Sequence, residues 1–91
     1  MHSFTYQYEG ESFYSTVILY YEDGYPRCKV SLPDGIAITI APSGIPGFNQ
    51  KIIWVQSNKS GETIQPHGLV QAIGDEIEKI FTISLPKLFF S

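Results

Sequence analysis

The chain predicts an α+β fold: a five-stranded, mostly antiparallel meander sheet with one C-terminal amphipathic helix packed on one face. Three observations carry that expectation. Turn signals at Asp23-Gly24 and Pro33-Asp34-Gly35 divide the first half into short strand-like runs. Within those runs apolar and polar residues alternate with a period of two. Near the C-terminal end the period changes: Leu69, Val70, Ile73, Ile77, Ile80 and Phe81 recur at helical spacing and make one stripe. Ninety-one residues suffice for one domain, 1–91, with one modest core.

The strands are expected at about 3–8, 13–22, 25–32, 36–41 and 51–56, and the helix at about 66–81. In the first strand Phe4-Thr5-Tyr6-Gln7-Tyr8 alternates and runs into Glu9-Gly10-Glu11. Either Glu9-Gly10 or Gly10-Glu11 can serve as the loop. Both leave Phe4, Tyr6 and Tyr8 on one face with Phe13 and Val17.

Asp-Gly favours the two-residue type I′ hairpin. With Asp23-Gly24 as that loop, Glu22 lies opposite Tyr25, Tyr20 opposite Arg27, and Ile18 opposite Lys29. Val17, Leu19, Tyr21, Cys28, Val30 and Leu32 then share the core face. Pro33-Asp34-Gly35 suits a three-residue loop with glycine in the left-handed region. That loop sets Ile36, Ile38 and Ile40 opposite Leu32, Val30 and Cys28. A two-residue loop would send the three isoleucines to the face of Arg27 and Lys29, so the longer loop is preferred.

The fifth run, Lys51 to Gln56, is apolar at both parities. Either Ile53 or Trp54 can point to the core, and its place in the sheet stays open. Pro66 suits the first helical turn. Gln71, Asp75, Glu78 and Thr82 fall on the solvent side of the helix, with Asp75 and Lys79 as an i,i+4 pair. Gly74, which costs about 1 kcal/mol against alanine in a helix, is read as a point of close approach to the sheet. Phe81 to Leu85 suits either a helix end or a sixth strand, with the helix preferred through about Phe81. Leu88, Phe89 and Phe90 then need cover.

Composition narrows the function. Charged residues make up 16% of the chain, against the usual ~25%, and six tyrosines leave much of the surface aromatic. A net charge of −3 argues against a duplex-DNA binder that works by phosphate neutralisation. No apolar run is long enough to span a membrane and no leader pattern is present, and one cysteine cannot form an internal disulfide. A cytoplasmic location is expected.

One candidate site is the face opposite the core: Tyr14, Ile18, Tyr20 and Tyr25 beside Arg27 and Lys29. Tyrosine is also favoured in strands for packing alone, yet Ile18 is an unusual centre for a solvated face. A second candidate is the connection 42–49, where Ile45 and Phe48 are large apolar residues in a loop longer than a hairpin needs. Gly44 and Gly47 have the spacing of a backbone-clamping GxxG loop, but Pro46 lacks the donor that such a loop uses. His2, His67 and Cys28 are too far apart in sequence for a metal motif. No cofactor is implied and no catalytic residue stands out.

The expected function is a small non-enzymatic binding module that works through protein–protein contact, its own homodimer included. The alternative is a single-stranded nucleic-acid or small-ligand binder that stacks bases on the tyrosines with Arg27 and Lys29 nearby.

Overall fold

In the computed structural model, residues 1–46, 52–57 and 62–81 are described. They form β1 (His2–Tyr8), β2 (Glu11–Glu22), β3 (Tyr25–Ser31), β4 (Ala37–Pro46), β5 (Ile52–Gln56) and α1 (His67–Ile80). All four pairings are antiparallel and the strand order is β1-β2-β3-β4-β5, a plain meander. The fifth strand is therefore a neighbour of the fourth. No helix among the described residues is long and apolar enough to cross a membrane.

Turn chemistry sets the registers. Glu9-Gly10 and Asp23-Gly24 both have positive φ at each position, as a type I′ loop requires. They place Tyr8 opposite Glu11 and Glu22 opposite Tyr25. The choice left open at residues 9–11 thus falls to Glu9-Gly10. At the third turn Gly35 has φ +88°, and the Leu32 N–H donates to the Ile36 carbonyl at 2.8 Å. Asp34 Oδ1 accepts from the Ile36 N–H at 3.1 Å, a side-chain turn that holds the loop. Val30 consequently lies opposite Ile38 and Cys28 opposite Ile40, on the core face as expected.

The β3–β4 ladder stops at Cys28 and Ile40 for a reason written in the sequence. The next pair in that register would be Pro26 and Pro42, and neither has an N–H to donate. Beyond Pro42 the β4–β5 register shifts before resuming at Pro46 and Ile52. β4 therefore runs on to Pro46 by way of an irregularity, where a loop was expected from residue 42.

Strand twist curls the sheet around its core, and α1 packs mainly against β1 and β5, the two edge strands, with a smaller contact to β4. The helix was expected to cover Val17, Leu19, Val30, Ile38 and their neighbours, and Val70, Ile73 and Ile77 do share one buried cluster with Val17, Val30 and Ile38. Its backbone lies nearest the two edge strands, so it also bridges β1 and β5. Phe4, Tyr6, Val17, Cys28, Val30, Ile38, Ile40, Trp54, Val70, Ile73 and Ile77 fill the interior. Tyr21, assigned to that interior, is 48% exposed at the far end of β2. Ser15 is buried too, and its Oγ donates to the Tyr6 hydroxyl at 3.1 Å.

Trp54 settles the parity of β5: it is fully buried and Val55 faces out. Its ring lies against Gly74, where an added Cβ would collide with the indole. Its Nε1 donates to Glu78 Oε1 at 2.8 Å, and its backbone N–H donates to Gln71 Oε1 at 3.0 Å. Gln71 Nε2 returns a bond to the Ile52 carbonyl at 3.0 Å and another to Asp75 Oδ1 at 2.9 Å. Gln71 and Glu78 thus face the β5 edge, correcting their assignment to the solvent side. A spacing of 71, 74 and 78 puts all three contacts on one helix stripe. Lys79 reaches Glu76 at 3.0 Å, an i,i+3 pair, where an i,i+4 pair with Asp75 was expected.

At the other edge Tyr8 lies against Gly68, with an added Cβ 3.4 Å from its ring. The His2 ring meets Phe81, just past the helix, edge to face at 4.8 Å. Ahead of the helix Glu62 clamps Thr39, accepting from its N–H and its Oγ1 at 2.8 Å each. Gln56 holds the same segment through the Thr63 carbonyl and the Gln65 N–H.

The two helix glycines should respond oppositely to alanine. Gly74→Ala drives a methyl into a ring with no room to retreat, so urea denaturation should show a loss of about 2 kcal/mol or more. Gly68→Ala meets only ordinary contact and should be neutral or up to about 1 kcal/mol stabilising. Equal effects at the two positions would refute the close-approach assignment of Gly74.

Candidate functional site

The convex face of the curled sheet gathers the six residues singled out from the sequence. Because β2 and β3 are in the expected register, Ile18 lies opposite Lys29, Tyr20 opposite Arg27, and Glu22 opposite Tyr25. Tyr14 lies opposite Thr5 of β1 on the same face. Four residues of strand separate Tyr14 from Ile18, roughly 13 Å. The six therefore form an elongated stripe along β2 and β3 and do not converge on a point.

Exposure divides the stripe. Tyr14 is 59% and Ile18 44% exposed, and Lys29 is also exposed. Tyr20, Tyr25 and Arg27 are half-buried. Ser3, Thr5, Thr16 and Ser31 share the face by parity and give it a neutral hydroxyl-rich border. The centre is thus aliphatic and aromatic with Lys29 and Arg27 beside it on β3, Glu22 stands at the end next to the turn, and the border can donate and accept hydrogen bonds. Such a surface can make shallow apolar and polar contacts, but it brings no nucleophile and base together.

The second candidate is placed only in part. Ile45 belongs to β4 by its backbone, and Phe48 lies outside the described residues. An apolar cleft of about 190 Å³, which sequence reasoning missed, opens between Tyr6, Tyr8 and Phe13 on one side and Leu32 and Leu69 on the other. It is smaller than the ~300–1,000 Å³ of usual small-molecule sites. No three His, Cys, Asp or Glu side chains are grouped to hold a metal ion among the described residues. His67 is exposed in the first turn of α1, distant in the fold from the His2–Phe81 contact at the helix end.

No protein-family model, curated protein or solved structure matches the chain. The functional argument therefore rests on geometry.

Cys28 sits at the centre of the core, opposite Leu19 and Ile40, fully buried. Burial pushes its thiol up to about 12, so it stays protonated and inert in the folded chain. The unfolded thiol, near 9, gives up its proton first as the pH rises. The folded state then holds more protons than the unfolded one, and stability must fall with pH across that window, by up to about 1.4 kcal/mol per unit. Urea melts on either side of pH 9 should show a steeper decline for the wild type than for Cys28→Ala. Parallel pH profiles for the two would remove the thiol as the cause.

Proposed function

We propose that the protein is a non-enzymatic binding module of a reducing compartment, working by protein–protein contact through its convex sheet face, with self-association included. Ile18 carries the proposal. A large aliphatic side chain stands 44% exposed in the middle of β2, with Tyr14 more exposed still on the same face. Exposed apolar surface of this kind marks contact sites, and tyrosine and arginine are the residues enriched where proteins meet. Low overall charge supports the same reading, because a surface with few charges is less costly to remove from water.

A single-stranded nucleic-acid or small-ligand binder is the second reading, favoured by the cross-strand pairing of Tyr20 with Arg27 and of Ile18 with Lys29. A ring beside a cation can stack a base and meet its phosphate. The net charge of −3 ranks it second.

Light scattering behind a sizing column, run over a range of concentrations, tests the first reading. The wild type should show a dimer that dissociates on dilution. Ile18→Glu should remain monomeric throughout while its unfolding midpoint in urea moves little, as expected for a surface change within about ±0.5 kcal/mol. A strict monomer that binds oligonucleotides, and loses them on Arg27→Glu with Lys29→Glu, would establish the second reading instead.

A further inference from the structure

At one end of the curled sheet the last residues of β1, the β3–β4 turn and the start of α1 meet around the apolar cleft of about 190 Å³. Tyr6 and Leu32 in its lining are buried, whereas Tyr8, Phe13 and Leu69 are half-buried. The cleft is therefore a gap in the end wall of the core, with three aromatic rings and two leucines around it. The Tyr6 and Phe13 rings stack with centroids 5.6 Å apart and planes 26° from parallel. Tyr8 rests its ring over Gly68, where no side chain competes for the space.

Volume decides the size of what fits. Ligands of several rings need more room, but an apolar cavity of about 150 Å³ takes up benzene and otherwise stays dry. One aromatic ring matches the space. Water is a poor occupant, because the wall is mostly carbon and the Tyr6 hydroxyl already accepts from Ser15 Oγ at 3.1 Å.

Charge decides what the ring carries. Asp34 is the only acidic or basic side chain in the lining. Its Oδ1 accepts from the Ile36 N–H at 3.1 Å, so the turn holds the carboxylate in place. Its other oxygen has no partner among the described residues. The nearby start of α1 favours anions, but only with the equivalent of about half a charge. A full carboxylate outweighs it.

We propose that this cleft binds a small arylalkylamine. The aromatic ring sits among Tyr6, Tyr8, Phe13, Leu32 and Leu69, and a short arm carries its ammonium to Asp34. Tyr6, Tyr8 and Phe13 line the cleft from the core side of their strands, so the site is separate from the convex face and does not rest on the reading given to that face.

Phenethylamine is the probe, titrated into the labelled protein and followed by amide chemical shifts. Phenylpropionate, with the same ring and the opposite charge, and ethylamine, with the charge and no ring, are the controls. Phenethylamine should give saturable shifts at Tyr8, Phe13, Asp34, Gly35 and Leu69, with a roughly millimolar or lower Kd. Phenylpropionate should bind roughly fivefold or more weakly, and ethylamine should give no saturable shift. Asp34→Asn keeps an oxygen for the Ile36 N–H and removes only the charge. It should bring the two ring-bearing probes within about twofold of each other. Leu69→Trp fills the cleft from the helix surface and should abolish binding, with its unfolding midpoint in urea reporting that the fold stands. Ile18→Glu should leave every one of these results unchanged.

The proposal is overturned by the absence of saturable shifts with phenethylamine, or by shifts centred on Tyr14, Ile18 and Lys29. Equal affinity for phenylpropionate, a charge preference that survives Asp34→Asn, or undiminished binding to folded Leu69→Trp would overturn it too. None of these outcomes bears on the dimer expected of the convex face, which light scattering reads independently.

Discussion

Everything in this fold that is not local depends on how Trp54 meets α1. The indole is fully buried against a helix position that has no side chain, and two polar residues of the same helix stripe take its ring N–H and its backbone N–H. Removing a tryptophan from water contributes more than any other single side chain here could, and truncating one in a core typically costs about 3–5 kcal/mol. The polar bonds add direction to that apolar gain. A helix sliding by one residue along β5 would lose Gly74 from beneath the ring and both bonds at once, so one register of the helix is selected.

With the helix held at β5, the geometry of the rest follows. A strongly curled five-stranded sheet leaves a gap between its first and last strands, and a helix docked on one edge reaches the other. There the contacts are gentler: a tyrosine ring over Gly68, and an edge-to-face pair between His2 and Phe81. The asymmetry has a consequence for what the protein can bind. Tight docking uses up the β5 edge, and looser docking leaves a groove beside β1. The same helix thus closes one edge of the sheet and builds a wall for the other.

The convex face is a separate matter, because the helix takes no part in it. Its composition comes from strand alternation alone: once Val17, Cys28, Val30 and Ile38 are committed to the interior, Tyr14, Ile18, Tyr20, Arg27 and Lys29 must face outward. The chain could have kept that face polar. It keeps Ile18 there instead, and this choice is what the functional proposal reads.

The sequence by itself determined the local order of this protein. Asp23-Gly24 and Pro33-Asp34-Gly35 set two hairpin registers without help from distant residues, because positive φ at those positions admits few loop geometries. The apolar alternation then decided which side chains are inside, and so which six make the candidate face. Gly74 could be read as a close approach, though not what approached it. Tertiary structure decided the rest. Trp54 and Ile53 were equivalent in a strand apolar at both parities, and only the helix distinguishes them. Gln71 and Glu78 looked like solvent residues because helical period reports apolar stripes, whereas their partners are a backbone and an indole N–H about 17 and 24 residues away. Which strands form the sheet's edges, and which of them the helix meets, was equally hidden. An edge is a property of strand order and of what the helix covers, and neither is carried by any short stretch of chain.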